Sequence, residues 1–167
     1  MGRGRGVFIM LNPSTADATA DDPTIRRCMG FTRRWGLGEL AVVNLFAYRA
    51  TCRADLMRAR EPIGPENNSW IARAVASADR VVLAWGASGS WRRRDERVLA
   101  ILDAMDARPR CLGLTRDGSP RHPLYLRSDS RPRRYPGARR AHASCAAGAA
   151  KPGSVATPRR SSTTGRR

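Results

Sequence analysis

Amide, carboxylate and imidazole side chains recur at the points where apolar runs of this chain end. Asn12 follows the run Val7 to Leu11, Asn44 follows the run Leu40 to Val43, and His122 comes late in the chain. An amide both donates and accepts hydrogen bonds, a carboxylate can position water, and a histidine can stabilise developing negative charge. The candidate polar set is Asn12, Ser14, Asp17, Asp22, Asn44, Arg49, Asn67, Ser88 and His122.

Each of these residues also has a purely structural explanation. A lone loop histidine is more often hydrogen-bonded for stability, but the position of His122 among loop prolines strengthens the case for function. The carboxylates Asp17, Asp21 and Asp22 suit helix caps and turns better than a metal site. Ser14 lacks the glycine-flanked setting of a serine nucleophile. We therefore expect no metal and no cofactor.

The segment from Trp85 to Ser90 combines an aromatic ring with a glycine-rich turn. Trp85 could stack on a base, although a tryptophan at the end of an apolar strand is more often part of the core. Gly86 and Ser88 lie between a strand and a helix, where backbone N–H groups can bind an anion. The glycine spacing matches no nucleotide-binding pattern, so a tight turn explains it equally well. We keep Trp85, Gly86 and Ser88, with Pro13, as candidate ligand contacts.

Four short apolar runs of the kind buried in parallel sheets alternate with three helical patterns. The predicted strands are Val7 to Leu11, Leu40 to Val43, Arg80 to Trp85 and Arg110 to Leu114. The predicted helices run from the cap Asp22 to Gly36 or Gly38, onward from Pro65 through Ile71 and Val75, and from about Arg92 to Met105. This alternation predicts a three-layer α/β/α domain with a mainly parallel central sheet. Because parallel strands end at one edge, we expect the candidate side chains to line one hollow there.

The charge is distributed unevenly along the 167 residues. Lys and Arg number 31 against 14 Asp and Glu, a net charge of +17. Ten of the basic residues and none of the acidic ones lie from Arg131 onward, so residues 1–130 carry a net +7. Aliphatic residues nearly vanish beyond Ser128, which predicts a domain over residues 1–127 and a disordered basic tail over residues 128–167. The basic surface suits a nucleic-acid or nucleotide partner, and solvated arginines explain it equally well.

The cysteines and apolar runs bear on the cellular compartment. Cys28, Cys52, Cys111 and Cys145 show no metal-binding or disulfide spacing, and no apolar run approaches the length of a membrane span. We therefore expect a cytoplasmic protein that does not enter a membrane. The tail is either an arginine-rich arm that binds nucleic acid without sequence preference or an extension without a selected role.

Six loop motifs stand in the order found in one known family. They are FIMLNPSTAD, DDPTIRRC, NLFAYRAT, IGPENN, AWGASG and LGLTRDGSPRHPLYL. Over Val7 to Leu126 the chain resembles the bacterial and phage proteins of domain-of-unknown-function family 1643 (DUF1643). The resemblance implies an α/β fold with pocket residues in these loops, and no settled activity. The chain differs from the family in its short opening segment and in its arginine-rich tail.

The order of four motifs is also similar to that of the uracil-DNA glycosylase superfamily. The matching segments are Leu11 to Ser14, Asn44 to Arg49, Val81 to Gly86, and His122 with Pro123. The similarity implies that Asn12 with its neighbours orients water, Asn44 reads the edge of a base and His122 stabilises the departing base. Ser14 stands in place of a glycine of that superfamily, and Leu124 stands in place of a serine.

Two functions are compatible with these residues. In one, the domain is a glycosylase-like hydrolase acting on a nucleobase or nucleotide, with Asn12, Asp17 and His122 as catalytic residues. In the other, the same loops bind a nucleotide or nucleic acid without chemistry. The lack of an evident general base favours binding alone, whereas the grouping of Asn, Asp and His at strand ends favours the enzyme.

Overall fold

The structure, a computed structural model, describes residues 2–14 and 22–139. The strands are β1 Arg5–Met10, β2 Glu39–Asn44, β3 Arg80–Leu83, β4 Arg110–Cys111 and β5 Arg133–Arg134. The α-helices are α1 Pro23–Arg34, α2 Arg53–Arg58, α3 Asn67–Ala76 and α4 Arg94–Ala104. Short 3-10 segments cover Gly86–Arg93, Pro123–Tyr125 and Pro136–Arg139. The five strands form one sheet in the order β2-β1-β3-β4-β5.

β1 lies within the parallel part of the sheet because its side chains are buried on both faces. Val7, Phe8 and Ile9 have no exposed surface. β1 pairs in parallel with β2 on one side and with β3 on the other, and β3 pairs in parallel with β4. An uninterrupted apolar run is the pattern expected of a strand covered on both faces. The prediction of an α/β fold with a mainly parallel sheet is confirmed.

The helices cover both faces of the sheet. On one face, Phe8 and Met10 share a core with Cys28 and Phe31 of α1. On the other face, Val7 and Ile9 share a core with residues of α2, α3 and α4, namely Leu56, Ile71, Val75, Val98, Leu99 and Leu102. Alternate β1 side chains therefore enter opposite cores, as the two-residue period of a strand requires. The layers are α/β/α, as the sequence predicts.

The start of α1 follows its sequence signals. The carboxylate of Asp22 accepts hydrogen bonds from the backbone N–H groups of Thr24 at 2.7 Å and Ile25 at 3.4 Å. Pro23 occupies the first turn, where its missing N–H would have had no partner within the helix. Asp22 is therefore the N-cap of α1.

Several element boundaries differ from the sequence prediction. β3 ends at Leu83 and β4 ends at Cys111, each earlier than its apolar run. α3 starts at Asn67 rather than at Pro65. α2 is absent from the sequence prediction because its six residues contain a single buried apolar side chain, Leu56, and therefore no periodic pattern.

The start of α4 is delayed by unusual backbone angles. Arg92 and Arg93 have φ values of 54° and 52°, in the left-handed region that residues with a side chain rarely adopt. The α-helix therefore begins at Arg94, two residues later than its apolar pattern predicts. Arg94 itself is buried, with 2% of its surface exposed.

The packed structure continues beyond residue 127. β5 pairs antiparallel with β4, and Tyr135, which follows β5, is buried with 8% of its surface exposed. The Tyr135 ring meets the Trp85 ring edge-on at a centroid distance of 6.3 Å. Within the segment that the composition predicts to be disordered, residues 128–139 thus contain a short strand and one buried aromatic side chain. The rest of the predicted tail lies outside the described residues.

Candidate functional site

A cavity of about 420 Å³ opens where β1 and β2 end, on the face of the sheet covered by α1. Met10, Ile25 and Val42 form its apolar part. The candidate residues that line it are Asn12, Pro13, Ser14, Asp22, Asn44, Arg49 and His122. Loops that lie far apart in the sequence therefore meet at one edge of the sheet.

Asn12 ties two of these loops together. Its side-chain Nδ2 donates to the backbone carbonyls of Pro13 at 2.9 Å and Ala50 at 2.7 Å. The N–H of Ala50 donates to the carbonyl of Pro13 at 3.1 Å, and Nε of Arg49 donates to the carbonyl of Ser14 at 3.3 Å. Because both amide protons of Asn12 are used within the protein, its Oδ1 is the atom that can accept a hydrogen bond from water or a ligand.

Asp22 contributes a negative charge as well as a helix cap. It accepts a hydrogen bond from Oγ of Ser14 at 3.3 Å. Partial burial opposes the charge, but hydrogen bonds from Thr24, Ile25 and Ser14 outweigh burial and hold the pKa of Asp22 below its ordinary value. Asp22 is therefore ionised at neutral pH.

His122 is an uncharged hydrogen-bond donor at neutral pH. Burial lowers the pKa of His122, and the negative charge of Asp22 opposes this effect only in part. The backbone N–H of Leu124 donates to Nδ1 of His122 at 3.4 Å, which assigns the ring proton to Nε2. His122 thus provides a neutral Nε2–H group in the cavity that contains the Asp22 carboxylate.

Two buried side chains hold the backbone that carries Asn44. Nδ2 of Asn67 donates to the carbonyls of Asn44 at 3.1 Å and Leu45 at 2.8 Å. Asn67 lines a neighbouring cavity of about 480 Å³, beside Trp70, and does not line the candidate site. Asn67 is therefore placed to position Asn44, and its predicted contact with a ligand would have to be made from the neighbouring cavity, which Pro13 and Asn44 also line.

Arg94 is the second of these side chains, and the sequence analysis gave it no role. Its Nε donates to the carbonyl of Leu45 at 2.6 Å, and burial lowers the pKa of Arg94. A signal was present in the sequence, since Arg94, Val98 and Leu102 are spaced four residues apart on the buried face of α4. A buried arginine on an apolar stripe indicates a carbonyl or an anion to which it donates.

The remaining candidates lie away from the cavity or outside the described residues. Trp85 is 2% exposed and belongs to the core on the α3 and α4 face, which is the structural alternative that the sequence offers to stacking on a base. Gly86 and Ser88 belong to the 3-10 segment after β3 and do not line the cavity. Asp17 lies outside the described residues.

The described residues bring no three His, Cys, Asp or Glu side chains together in a way that could hold a metal ion. Within residues 2–14 and 22–139, no helix combines the length and the apolar character needed to cross a lipid bilayer.

The fold and the cavity define an α/β protein with a polar site at the ends of parallel strands. The sequence model of the family described as "Protein of unknown function (DUF1643)" matches residues 2–124. The chain belongs to this family, which confirms the resemblance inferred from the loop motifs. Comparisons with curated proteins and with solved structures found no match. The matched range contains all of the residues that line the cavity, from Met10 to His122.

Proposed function

We propose that the cavity binds the base of a nucleotide and that the protein cleaves the bond between this base and its sugar. The proposal is carried by the neutral imidazole of His122, which shares one cavity with the amides of Asn12 and Asn44 and with the carboxylate of Asp22. The volume of about 420 Å³ falls in the range of about 300–1,000 Å³ typical of small-molecule sites.

Each of these groups has its own role in the proposed hydrolysis. The bond from C1′ of the sugar to the base nitrogen breaks, the oxygen of water bonds to C1′, and a proton of that water ends on the departing base. The Asn44 amide can donate to and accept from the edge of a base. The Nε2–H of His122 stabilises the negative charge that develops on the base, and Asp22 stabilises the positive charge that develops on the sugar.

Water activation completes the proposed mechanism. Oδ1 of Asn12 accepts a hydrogen bond from the attacking water, because the Nδ2 group is already bound to the carbonyls of Pro13 and Ala50. Asp17 stays in the proposal as a second carboxylate that positions this water, although it lies outside the described residues. If positive charge develops on the sugar before the water attacks, no strong base is required. The water then loses its proton readily, because its oxygen is bonding to a positively charged C1′.

A relationship to the uracil-DNA glycosylase superfamily belongs to the same proposal. It is supported by the order of three residues along the chain. Asn12 follows β1, Asn44 is the last residue of β2, and His122 follows β4. Ser14 and Leu124 are the two positions at which this chain differs from the motifs of that superfamily. Ser14 donates a hydrogen bond to Asp22, and the backbone N–H of Leu124 donates to His122. Both substituted positions therefore still support polar groups of the cavity.

Binding of a nucleotide or nucleic acid without chemistry is the second candidate function. Asp22 is the single acid among the described residues that line the cavity, and its pKa is lowered. A carboxylate that stays ionised and engaged in hydrogen bonds is a weak general base. This observation favours a site that recognises its ligand and does not cleave it.

An assay of base release separates the two functions. The purified full chain is incubated with oligonucleotides that contain uracil or a mismatched base, and the free base is measured by chromatography. We expect release by the wild type and its loss in His122→Ala and Asn12→Ala. Ser69→Ala is the matched control, because Ser69 is exposed on α3 and outside the cavity.

The outcomes of this assay are distinct. Release that survives both cavity substitutions would show that another site, or a contaminant, performs the reaction. Binding of the oligonucleotide that His122→Ala weakens, with no free base from any variant, would support the binding function. Circular dichroism of each variant shows whether a loss of release reflects a loss of fold.

A cytoplasmic location is a further part of the proposal. Cys28, Cys52 and Cys111 are free thiols, which is the usual state in a reducing compartment. Burial raises the pKa of the Cys28 thiol to about 12, so this cysteine is an unreactive core residue.

A further inference from the structure

A second cavity of about 420 Å³ lies beside the candidate site, between α1 and the segment that follows His122. We call it the α1 groove. Arg26, Arg27, Gly30 and Arg34 line it from α1, and Leu124 and Ser128 line it from the opposite side. α1 contains four arginines and no acidic residue. The groove therefore combines a concave shape with positive charge.

Arg27 is held in the groove with an unsatisfied donor. Its Nη2 donates to the carbonyl of Leu126, and its guanidinium carbon lies 5.6 Å from the centroid of the Phe31 ring. Its Nε is buried and has no hydrogen-bond partner among the described residues. Because this Nε atom is enclosed by protein, Arg27 is anchored in the wall of the groove, where its positive charge adds to those of Arg26 and Arg34.

Gly30 leaves space between two of the arginines. Arg26, Gly30 and Arg34 are spaced four residues apart and therefore lie on one face of α1. A glycine inside a helix is about 1 kcal/mol less favourable than alanine, yet a Cβ added at Gly30 would meet nothing within 4 Å. Packing among the described residues does not explain this glycine, whereas a ligand that lies between Arg26 and Arg34 would.

We propose that the α1 groove binds the phosphodiester backbone of single-stranded nucleic acid. Guanidinium groups match the geometry and charge of phosphate oxygens. With a rise of 1.5 Å per residue, Arg26 and Arg34 lie roughly 12 Å apart along the helix. A span of this length suits successive phosphates of one strand better than a single phosphate.

The groove also adjoins the candidate site. Pro23 of the groove follows Asp22 of the cavity, and Leu124 of the groove lies two residues after His122. A strand in the groove would thus pass beside the cavity, and an unstacked base could enter it. The identity of the ligand as a strand with a base in the cavity rests on the proposed function, whereas phosphate binding in the groove does not.

The first test measures binding to a strand that has phosphates and no bases. A fluorescent oligonucleotide of abasic tetrahydrofuran units is titrated with the full chain over a range of salt concentrations. Removing two phosphate contacts should reduce the slope of log K against log salt by about 1.4, or about 0.7 for each contact. We expect this reduction in Arg26→Ala/Arg34→Ala.

The matched control removes the same charge elsewhere. Arg33 and Arg108 are exposed and do not line the groove, so Arg33→Ala/Arg108→Ala should reduce the slope by less than half as much. An equal reduction in both double variants would show that binding follows overall charge, and would overturn the proposal.

Gly30→Glu is a second test that does not depend on removing arginines. A carboxylate four residues from both Arg26 and Arg34 adds favourable helix pairs, so α1 should stay folded while the groove loses its affinity for phosphate. We expect binding of the abasic strand to weaken at least tenfold in Gly30→Glu and to weaken less in Gly30→Ala, whose methyl group occupies the space without adding a negative charge. Unchanged binding by Gly30→Glu would contradict the proposal.

Base release and binding of the abasic strand separate this proposal from the proposed function, because the abasic probe places no base in the cavity. If no base is released from any substrate while the groove variants lose binding, the proposal that the groove binds phosphates is supported and the glycosylase proposal fails. If base is released and the groove variants bind normally, the groove proposal fails alone.

Discussion

His122 stays uncharged because its surroundings favour the neutral ring. It is partly buried, and its Nδ1 is occupied by the N–H of Leu124. That Asn12 and Asn44 lie at one edge of the sheet could be predicted because each follows an apolar run, and the place of His122 could be predicted from its proline-flanked loop after the fourth run. The supporting roles of Asn67 and Arg94 could not be assigned, because they depend on how α3 and α4 approach the end of β2.

Acidification should destabilise the protein through His122. The unfolded chain has a histidine pKa of about 6.5, and the folded pKa is lower, so the unfolded state binds more protons below that pH. The free energy of unfolding should therefore fall as the pH decreases from about 7 to about 5. Urea denaturation at both pH values checks this, and His122→Gln should show a smaller fall.

NMR titration gives a direct check of the same prediction. The midpoint of the His122 ring should be lower in the folded protein than in urea. Coincident midpoints would contradict the assignment of a neutral, buried imidazole.

Replacing Asn67 should destabilise the end of β2. In Asn67→Ala the partly buried carbonyl of Asn44 and the buried carbonyl of Leu45 each lose a donor, which should lower the free energy of unfolding by about 1–3 kcal/mol. Asn68→Ala is the matched control. Oδ1 of Asn68 is buried without a partner among the described residues, so its removal should cost less than Asn67→Ala. Equal losses in urea denaturation would count against the positioning role of Asn67.

Local signals determine which elements the sequence predicts well. α1 has a cap, a first-turn proline and a periodic apolar face, and β1 has an uninterrupted apolar run, so both could be predicted. α2 and β5 span six and two residues and have no such pattern. The left-handed angles at Arg92 and Arg93 could not be predicted either, because arginine has no preference for them.

The cap of α1 should contribute measurably to stability. Asp22→Ala removes the acceptor for the N–H groups of Thr24 and Ile25, which should cost about 1 kcal/mol. Asp22→Asn should retain much of this stability, because its side-chain oxygen can still accept.

The charge of Asp22 should make stability depend on pH. Because the pKa of Asp22 is lower in the folded protein than in the unfolded chain, its carboxylate stabilises the fold at pH values above the unfolded pKa. This stabilisation is lost as the pH falls through the folded pKa. Thermal melts at neutral and acidic pH test both statements, and an Asp22→Ala melt that matches the wild type would refute the capping role.

At the scale of the whole molecule, the sheet extends farther along the chain than the composition indicates. β5 adds an antiparallel edge to four parallel strands, and Tyr135 packs against Trp85. The sequence predicts the layers because they depend on apolar periodicity. It does not predict this edge, because a single buried tyrosine in an arginine-rich segment has no distinguishing pattern.

Tyr135 should therefore be a stability residue. Truncating a buried aromatic ring typically costs about 3–5 kcal/mol, and we expect Tyr135→Ala to fall near the lower end because the ring is not wholly enclosed. Tyr125 is 73% exposed, so Tyr125→Ala should change stability by less than about 0.5 kcal/mol. Similar urea midpoints for the two variants would show that residues 128–139 add little to the fold.

The hydrogen bonds among Asn12, Pro13 and Ala50 join the start of the loop after β1 to the loop after β2. The entropy cost of ordering these residues is therefore incurred when the chain folds, before any ligand binds. A ligand of the proposed kind would therefore be selected by its shape, because the hydrogen bonds that join these residues are formed before it binds.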